Sequence, residues 1–202
     1  MYGMQIGVIG TGNVGRALAT GFSAAGHDTV MGSREPESNQ LEGMDIVTQQ
    51  AAAKHGAVVV LALPAEVIAD VTARLRNALA AKPVVDAANE YPVPKAETAL
   101  AKRVADAAPD AHIVKAFNTI GANRMGDPVF DEEAATMFLA GDDPGAVGKV
   151  VTLARDLEFE PVVAGDLDAA SHLEHLARFW IHLSREHGRD IGFRLLGANT
   201  DG

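Results

Sequence analysis

The stretch from Gln5 to Arg34, QIGVIGTGNVGRALATGFSAAGHDTVMGSR, decides the fold. An apolar run, Ile6 to Ile9, has strand character and passes directly into Gly10-x-Gly12-x-x-Gly15. A segment rich in alanine and leucine follows to Ala25 with helical spacing, and a second apolar strand, His27 to Met31, ends in Ser33-Arg34. Between a strand and a helix of one βαβ unit the three glycines have separate tasks. Gly10 permits the tight turn, Gly12 lets the backbone approach a pyrophosphate, and Gly15 lets the helix pack closely on the sheet. Thr11, Asn13 and Val14 complete the loop, and the free N–H groups of a helix starting near Asn13 face the anion. A bound dinucleotide is the expectation. A glycine-rich turn in a non-binding α/β protein is the alternative, and it leaves the strand-and-helix context unexplained.

The end of the second strand bears on which dinucleotide is bound. A carboxylate there would accept hydrogen bonds from the ribose 2′-OH of NAD and repel a 2′-phosphate. This chain has Ser33 and Arg34 instead, a hydroxyl donor beside a guanidinium suited to phosphate oxygens. NADP(H) is therefore expected over NAD. Glu35 and Glu37 follow closely, and either could swing toward the ribose.

Strand-like and helical runs alternate almost to the end of the chain. Ser38 to Gly43 reads as a loop and Asp45 to Ala53 as a short helix. Ala57 to Leu63 is a buried strand, Ala65 to Ala80 a helix, and Pro83 to Asp86 another strand. Tyr91 to Pro94 is a stiff extended loop, Glu97 to Ala107 a helix, and Ala111 to Ala116 a strand. Thr136 to Ala140 and Glu160 to Ala164 read as strands, with helices at Asp142 to Leu157 and Ala169 to His187. This alternation predicts an α/β protein with a doubly wound, mostly parallel sheet of the Rossmann type. Residues 1–118 form the expected dinucleotide-binding domain. Residues 119–202 form a smaller C-terminal α/β extension, packed directly on it for substrate or dimer contacts.

Composition narrows the function classes. A formal charge of −10 argues against a nucleic-acid surface or attraction to anionic membranes. No segment has the roughly 18 uncharged apolar residues of a membrane span, and nothing resembles a signal peptide. Cysteine is absent, which excludes disulfides, thiolate ligands and thiol catalysis. These features fit a cytoplasmic protein that acts on small molecules. His172, His175, His182 and His187 share one broad helical face, but their spacings match a compact metal-ligand pair poorly, so no metal site is expected. Trp180, Phe179, Leu176, Leu183 and Ile181 wrap the same helix in apolar side chains, which predicts burial by a second subunit and a homodimer.

In open α/β sheets ligands sit at the carboxyl ends of the strands. Beyond the Gly10 loop and Ser33-Arg34, those ends are Leu63-Pro64, Asp86 to Asn89, and Phe117 to Ile120. Leu63, Pro64 and Ala88 suit the adenosine-to-nicotinamide stretch. Asn89, Asn118 and Thr119 offer amide and hydroxyl groups for ribose or carboxamide, or caps for the following helices. No Ser-His-Asp set or paired carboxylates carry a distinctive motif. Hydride transfer needs none, because the cofactor carries the chemistry and the protein positions it.

The strings IGVIGTGNVGRALA, GSR, VVDAANEYP, IVKAFNTIGANRM, FLAGDD and HLARFWIHLSREHGRDIGFRLL resemble the NADPH-dependent deazaflavin reductases, the NADP oxidoreductases that use coenzyme F-420. PDAHIVKAFNTIGA also resembles the cytosolic reductase domain of the six-transmembrane epithelial antigen of prostate metalloreductases, which pass NADPH electrons to a flavin. The resemblance implies hydride transfer between NADPH and a deazaflavin or a flavin (FMN or FAD). It further implies a 2′-phosphate contact from Thr11 beside Ser33 and Arg34. Leu63, Pro64 and Asn89 would lie along the nicotinamide half, and Ile120 would back its ring beside Asn118 and Thr119. The deazaflavin enzymes carry a histidine where this chain has Asn118, an asparagine shared with the metalloreductases. They also have a lysine shortly after the Ser-Arg pair, where this chain has Glu35, Pro36 and Glu37. Two alternatives remain: a small-molecule imine or keto reductase, and a non-catalytic NADP(H)-binding sensor.

Overall fold

The computed structural model describes residues 3–92 and 98–197. In chain order the elements are β1 (Gln5–Ile9), α1 (Asn13–Ala24), β2 (Asp28–Ser33), β3 (Asp45–Thr48), α2 (Gln49–His55), β4 (Val58–Leu61), α3 (Ala65–Leu79) and β5 (Pro83–Asp86). They continue with α4 (Leu100–Ala107), β6 (His112–Lys115), β7 (Val129–Phe130), β8 (Glu133–Ala134), β9 (Thr136–Gly141), α5 (Pro144–Asp156), β10 (Glu160–Gly165) and α6 (Ala170–His187). Eight strands form one sheet in the order β10-β9-β6-β5-β4-β1-β2-β3. All neighbours are parallel except β6 and β9, which run antiparallel. This is the doubly wound Rossmann arrangement, with β9 and β10 extending it at one edge.

Alternation along the buried strands separates two cores, one on each face. Ile6, Val8, Val58, Val60, Val85 and Val114 point to the face covered by α1 and α5. Ile9, Val59, Leu61, Val84 and Ile113 point to the face covered by α2, α3, α4 and α6. Strands buried on both faces have no polar side, which explains the continuous Val58–Leu61 run. The sheet continues across the 118/119 position without a linker, since β9 hydrogen-bonds directly to β6.

One expected element is corrected. Asp45 to Ala53 is not a single helix: Asp45–Thr48 is an edge strand paired in register with Val30–Ser33 of β2, and α2 starts only at Gln49. The β-branched Ile46, Val47 and Thr48 prefer the pleated edge. Thr48 then caps α2, its Oγ1 accepting from the Ala51 N–H at 3.2 Å. α4 begins at Leu100 rather than at Glu97, which itself lies outside the described residues, as do Val93 and Pro94 of the expected stiff loop. The short β7–β8 hairpin was not foreseen. Its turn places Asp131 and Glu132 at φ +46° and +75°.

Candidate functional site

The chain leaves β1 toward one face of the sheet and β4 toward the other, so a crevice opens where these adjacent strands end. A cleft of about 290 Å³ lies there, walled by Gly10, Thr11, Gly12, Ser33, Arg34, Leu63 and Pro64. The structure adds Glu35, Asn39 and Gln49 to the same wall, while Glu37 is not on it.

The loop's glycines differ in what surrounds them. Gly10 adopts φ +122°, a conformation L side chains rarely take, and an added Cβ would meet the Ala62 carbonyl oxygen at 2.2 Å. At Gly15 a Cβ would stand 2.1 Å from the Gly10 carbonyl oxygen, so α1 can cross the loop this closely only without a side chain. At Gly12 nothing lies within 4 Å of the added carbon. That glycine faces open cleft, and its carbonyl accepts from the Arg16 N–H at 2.9 Å to start α1. Asn13 is exposed and Val14 half-buried in the first turn. Gly12 has no side chain with which to cap the turn, which leaves the first N–H groups of the helix available to an anion.

Arg16 braces this loop from behind, a role with no signal in the motif. Its Nε donates to the Thr11 carbonyl and its Nη1 to the Gln40 carbonyl, both at 2.8 Å. The glycine loop and the segment after β2 are thereby tied to one guanidinium.

Ser33 is buried at the end of β2, and its Oγ accepts from the Glu35 N–H at 3.0 Å and from Asn39 Nδ2 at 3.1 Å. With both contacts directed at its oxygen, the hydroxyl proton is free to be donated. Asn39 is fixed in turn by its bond to the Glu35 carbonyl, at 2.8 Å. Arg34 is exposed and makes no hydrogen bond or ion pair among the described residues.

A second group gathers at the ends of β5 and β6, off the wall of that cleft. Asn118 Nδ2 donates to Asn89 Oδ1 at 3.0 Å and to the Leu173 carbonyl at 3.1 Å, and Asn89 Nδ2 donates to the Asn118 carbonyl at 2.8 Å. Neither Asn89 nor Thr119 caps a helix: the residue ahead of α4 is Ala99, and Gly121 precedes the 3-10 turn Ala122–Arg124. Asn118 is 4% exposed and its Oδ1 has no partner among the described residues, a costly arrangement unless something else donates to it. Phe117 holds φ +57° while fully buried. An aromatic residue in this region is strained by about 1–3 kcal/mol. The ring is packed edge-on against Phe22 and Phe159, and its N–H meets Met137 Sδ at 3.0 Å. That turn sends Asn118, Thr119 and Ile120 across the end of β6, all three buried, next to Ala88 and Asn89.

Beneath this group is a charged triad that the motif reading did not single out. Lys115, fully buried, bonds Asp86 Oδ2 at 2.9 Å and the Ala88 carbonyl, and lies 3.6 Å from Glu174 Oε1. Asp86 Oδ1 accepts from the Ala88 N–H at 2.9 Å. Glu174, from α6, accepts from the N–H groups of Leu100 and Ala101, both at 3.2 Å, and so caps α4 from 73 or 74 residues away. β5, β6, α4 and α6 are locked together by one ion cluster.

His172, His175, His182 and His187 are all exposed, and among the described residues no three metal-ligating side chains converge. Trp180 is buried, whereas Phe179 is half exposed and stacked on Phe193. Arg124 bonds Asp190 beyond α6 and Asp127 in its own loop. The hydrogen bond to Arg124 holds the Asp190 carboxyl below its ordinary range. The pair's contribution is therefore present above the usual carboxylate range and is lost as pH falls through that lowered value.

Fold and loop together define an NADP(H)-binding oxidoreductase of the Rossmann type. Residues 5–90 match the family described as NADP oxidoreductase, coenzyme F420-dependent. A candidate F420-dependent NADP reductase from Arthrobacter sp. FB24 superposes with a TM-score of 0.88 at 28% identity, covering 96% of this chain and 100% of that one. A hypothetical protein of Sinorhizobium meliloti is 31% identical, with a TM-score of 0.73 over 83% of this chain and 87% of its own. The metalloreductase STEAP2 of Mus musculus is 28% identical over 178 residues, 86% of this chain. The chain spans 36% of that relative's length. Among the described residues no helix is long and apolar enough to cross a membrane.

Proposed function

We propose that this protein is an NADPH-dependent reductase that exchanges hydride with an isoalloxazine-type ring, a deazaflavin such as coenzyme F420 or a flavin. The observation that carries the reading is the make-up of the second group. Its side chains are amide, hydroxyl and apolar, and the ionisable groups beneath it, Lys115, Asp86 and Glu174, are buried and spent on each other. Such a surface can position a hydride donor but offers no general acid, which a ketone or imine reduction needs.

The residues divide the work as follows. Gly10, Thr11, Gly12, Asn13, Val14 and Gly15 form the pyrophosphate cradle, with the first N–H groups of α1 as donors. Ser33, with its free hydroxyl proton, and the exposed Arg34 take the 2′-phosphate alongside Thr11. Leu63 and Pro64 flank the adenosine-to-nicotinamide stretch, and Ala88 leaves room for the ring. The unpartnered Asn118 Oδ1, held by Asn89, accepts from the carboxamide. Thr119 and Ile120 close one face of the ring, exclude water and leave the other face to the acceptor. When bound, NADPH would supply a hydride from its nicotinamide C4, and a solvent proton would complete the two-electron reduction of the acceptor ring. Residues 119–202 contribute the acceptor side.

Arg34→Ala is expected to raise the Kd for NADPH by about tenfold or more, the loss of a charge-assisted phosphate bond, while leaving the Kd for NADH nearly unchanged. Fluorescence titration with both nucleotides checks this, and parallel losses would move the 2′-phosphate elsewhere. The function itself is tested by following NADPH oxidation with the deazaflavin coenzyme and with FMN in parallel. Turnover with either supports the reading and identifies the acceptor. No oxidation with both, despite tight NADPH binding, would overturn it in favour of a sensor or a small-molecule reductase.

A further inference from the structure

A depression of about 840 Å³ opens beside the start of α1, lined by Asn13, Arg16, Ala122, Asn123 and Arg189. Its polar side chains are amides and guanidinia, and among the described residues no carboxylate lies on its wall. That is unexpected in a chain with 27 acidic against 17 basic residues. Carboxylates are plentiful, yet among the described residues neither Arg16 nor Arg189 pairs with one.

Both arginines are held in place by uncharged partners. Arg189 stacks on Trp180, its guanidinium carbon 5.2 Å from the ring centroid. Trp180 is fixed by its Nε1 bond to the Ile191 carbonyl at 3.0 Å, and Asn123 Nδ2 donates to the Arg189 carbonyl at 3.1 Å. The adjacent carboxylate, Asp190, is turned away onto Arg124. Arg16 is anchored through Nε and Nη1, which leaves Nη2 unused. Planar guanidinia with spare donors, held by stacking and by backbone carbonyls, suit bidentate binding of phosphate or carboxylate.

The location adds a direction. Ala122 and Asn123 follow Asn118, Thr119 and Ile120 within a few residues. A ring placed against Ile120 would have this depression within reach of its substituents. We propose that the depression receives the anionic tail of the hydride acceptor, with Arg189 as its principal ligand and Arg16, Asn13 and Asn123 in support. This rests on the reading of the acceptor as a flavin-type ring.

Two matched pairs of acceptors test it, each differing only in the tail: FMN against riboflavin, and the deazaflavin coenzyme against its tail-less chromophore. The parent protein should show a KM about tenfold lower for the tailed member of the pair it reduces, and the pair identifies whether a phosphomonoester or a phosphodiester-carboxylate tail is used. Arg189→Gln should erase that preference, leaving the tail-less KM and the Kd for NADPH unchanged, and Arg189→Lys should retain part of it. Equal KM values within the pair in the parent would overturn the proposal. So would an Arg189→Gln variant that weakens NADPH instead, which would assign the depression to the dinucleotide. If none of the four acceptors is reduced, the functional reading fails separately. Equilibrium dialysis of FMN and riboflavin against the NADP-loaded protein then decides the site: tighter FMN binding lost in Arg189→Gln supports it, and equal binding overturns it.

Discussion

Gly12→Val is expected to fold as the parent does and to lose NADPH affinity by about a hundredfold or more. Gly12 has φ −76°, a value open to any residue, and a Cβ there meets no atom within 4 Å. The added side chain therefore costs the empty protein little. It does occupy the space in which a pyrophosphate must approach the first turn of α1. Losing even two charge-assisted bonds, at roughly 1.5–3 kcal/mol each, gives a penalty of that order. Gly15→Ala is the control with the opposite profile, because its Cβ would stand 2.1 Å from the Gly10 carbonyl oxygen and must push α1 off the loop. It should lower the melting temperature as well as affinity. Nucleotide titration beside thermal melting separates the two cases. A Gly12→Val protein that binds NADPH as tightly as the parent would mean that the dinucleotide does not lie on this loop.

Lys115→Met is expected to destabilise the fold by about 3–5 kcal/mol, the range for removing one partner of a buried charge cluster. Methionine fills much of the volume, so the loss comes from Asp86 and Glu174, left buried without their shared cation. For a chain of this size each kcal/mol shifts the melting temperature by roughly 2–4 °C. The combined variant Asp86→Asn, Lys115→Met, Glu174→Gln should recover a large part of the loss, because no charge is then stranded. Denaturant midpoints compare the three proteins. If the single variant matched the parent, the cluster would have to be far better solvated than its burial implies.

The two predictions differ in how far they could be foreseen. Gly10, Gly12 and Gly15 lie within six residues, and strand, loop and helix are contiguous, so their geometry follows from local sequence. Ser33 and Arg34 were legible for the same reason. Asn39, by contrast, reaches Ser33 from six residues away through an irregular segment, and nothing in its surroundings marks it. Arg16 reads as an ordinary helix residue until its guanidinium is seen between two loops. The sequence of Asp45 to Thr48 reads as helical because a short stretch has little periodicity of its own. Its conformation is decided by the free edge of β2.

Sequence alone determined the βαβ opening, the order of the main strands and helices, and the residues at the carboxyl ends of the strands. Those depend on periodicity, on turn residues and on the handedness of parallel connections, all of which act over short stretches of chain. Only the tertiary structure decided what meets across the sheet. Asn118 pairs with Asn89 from 29 residues away, Glu174 caps α4 and faces Lys115 from another helix, and Arg189 rests on Trp180 beside the start of α1. Each of these joins groups distant in sequence that packing brings together. Their partners are set by burial and by the need to satisfy every enclosed polar group, which no local pattern of residues records.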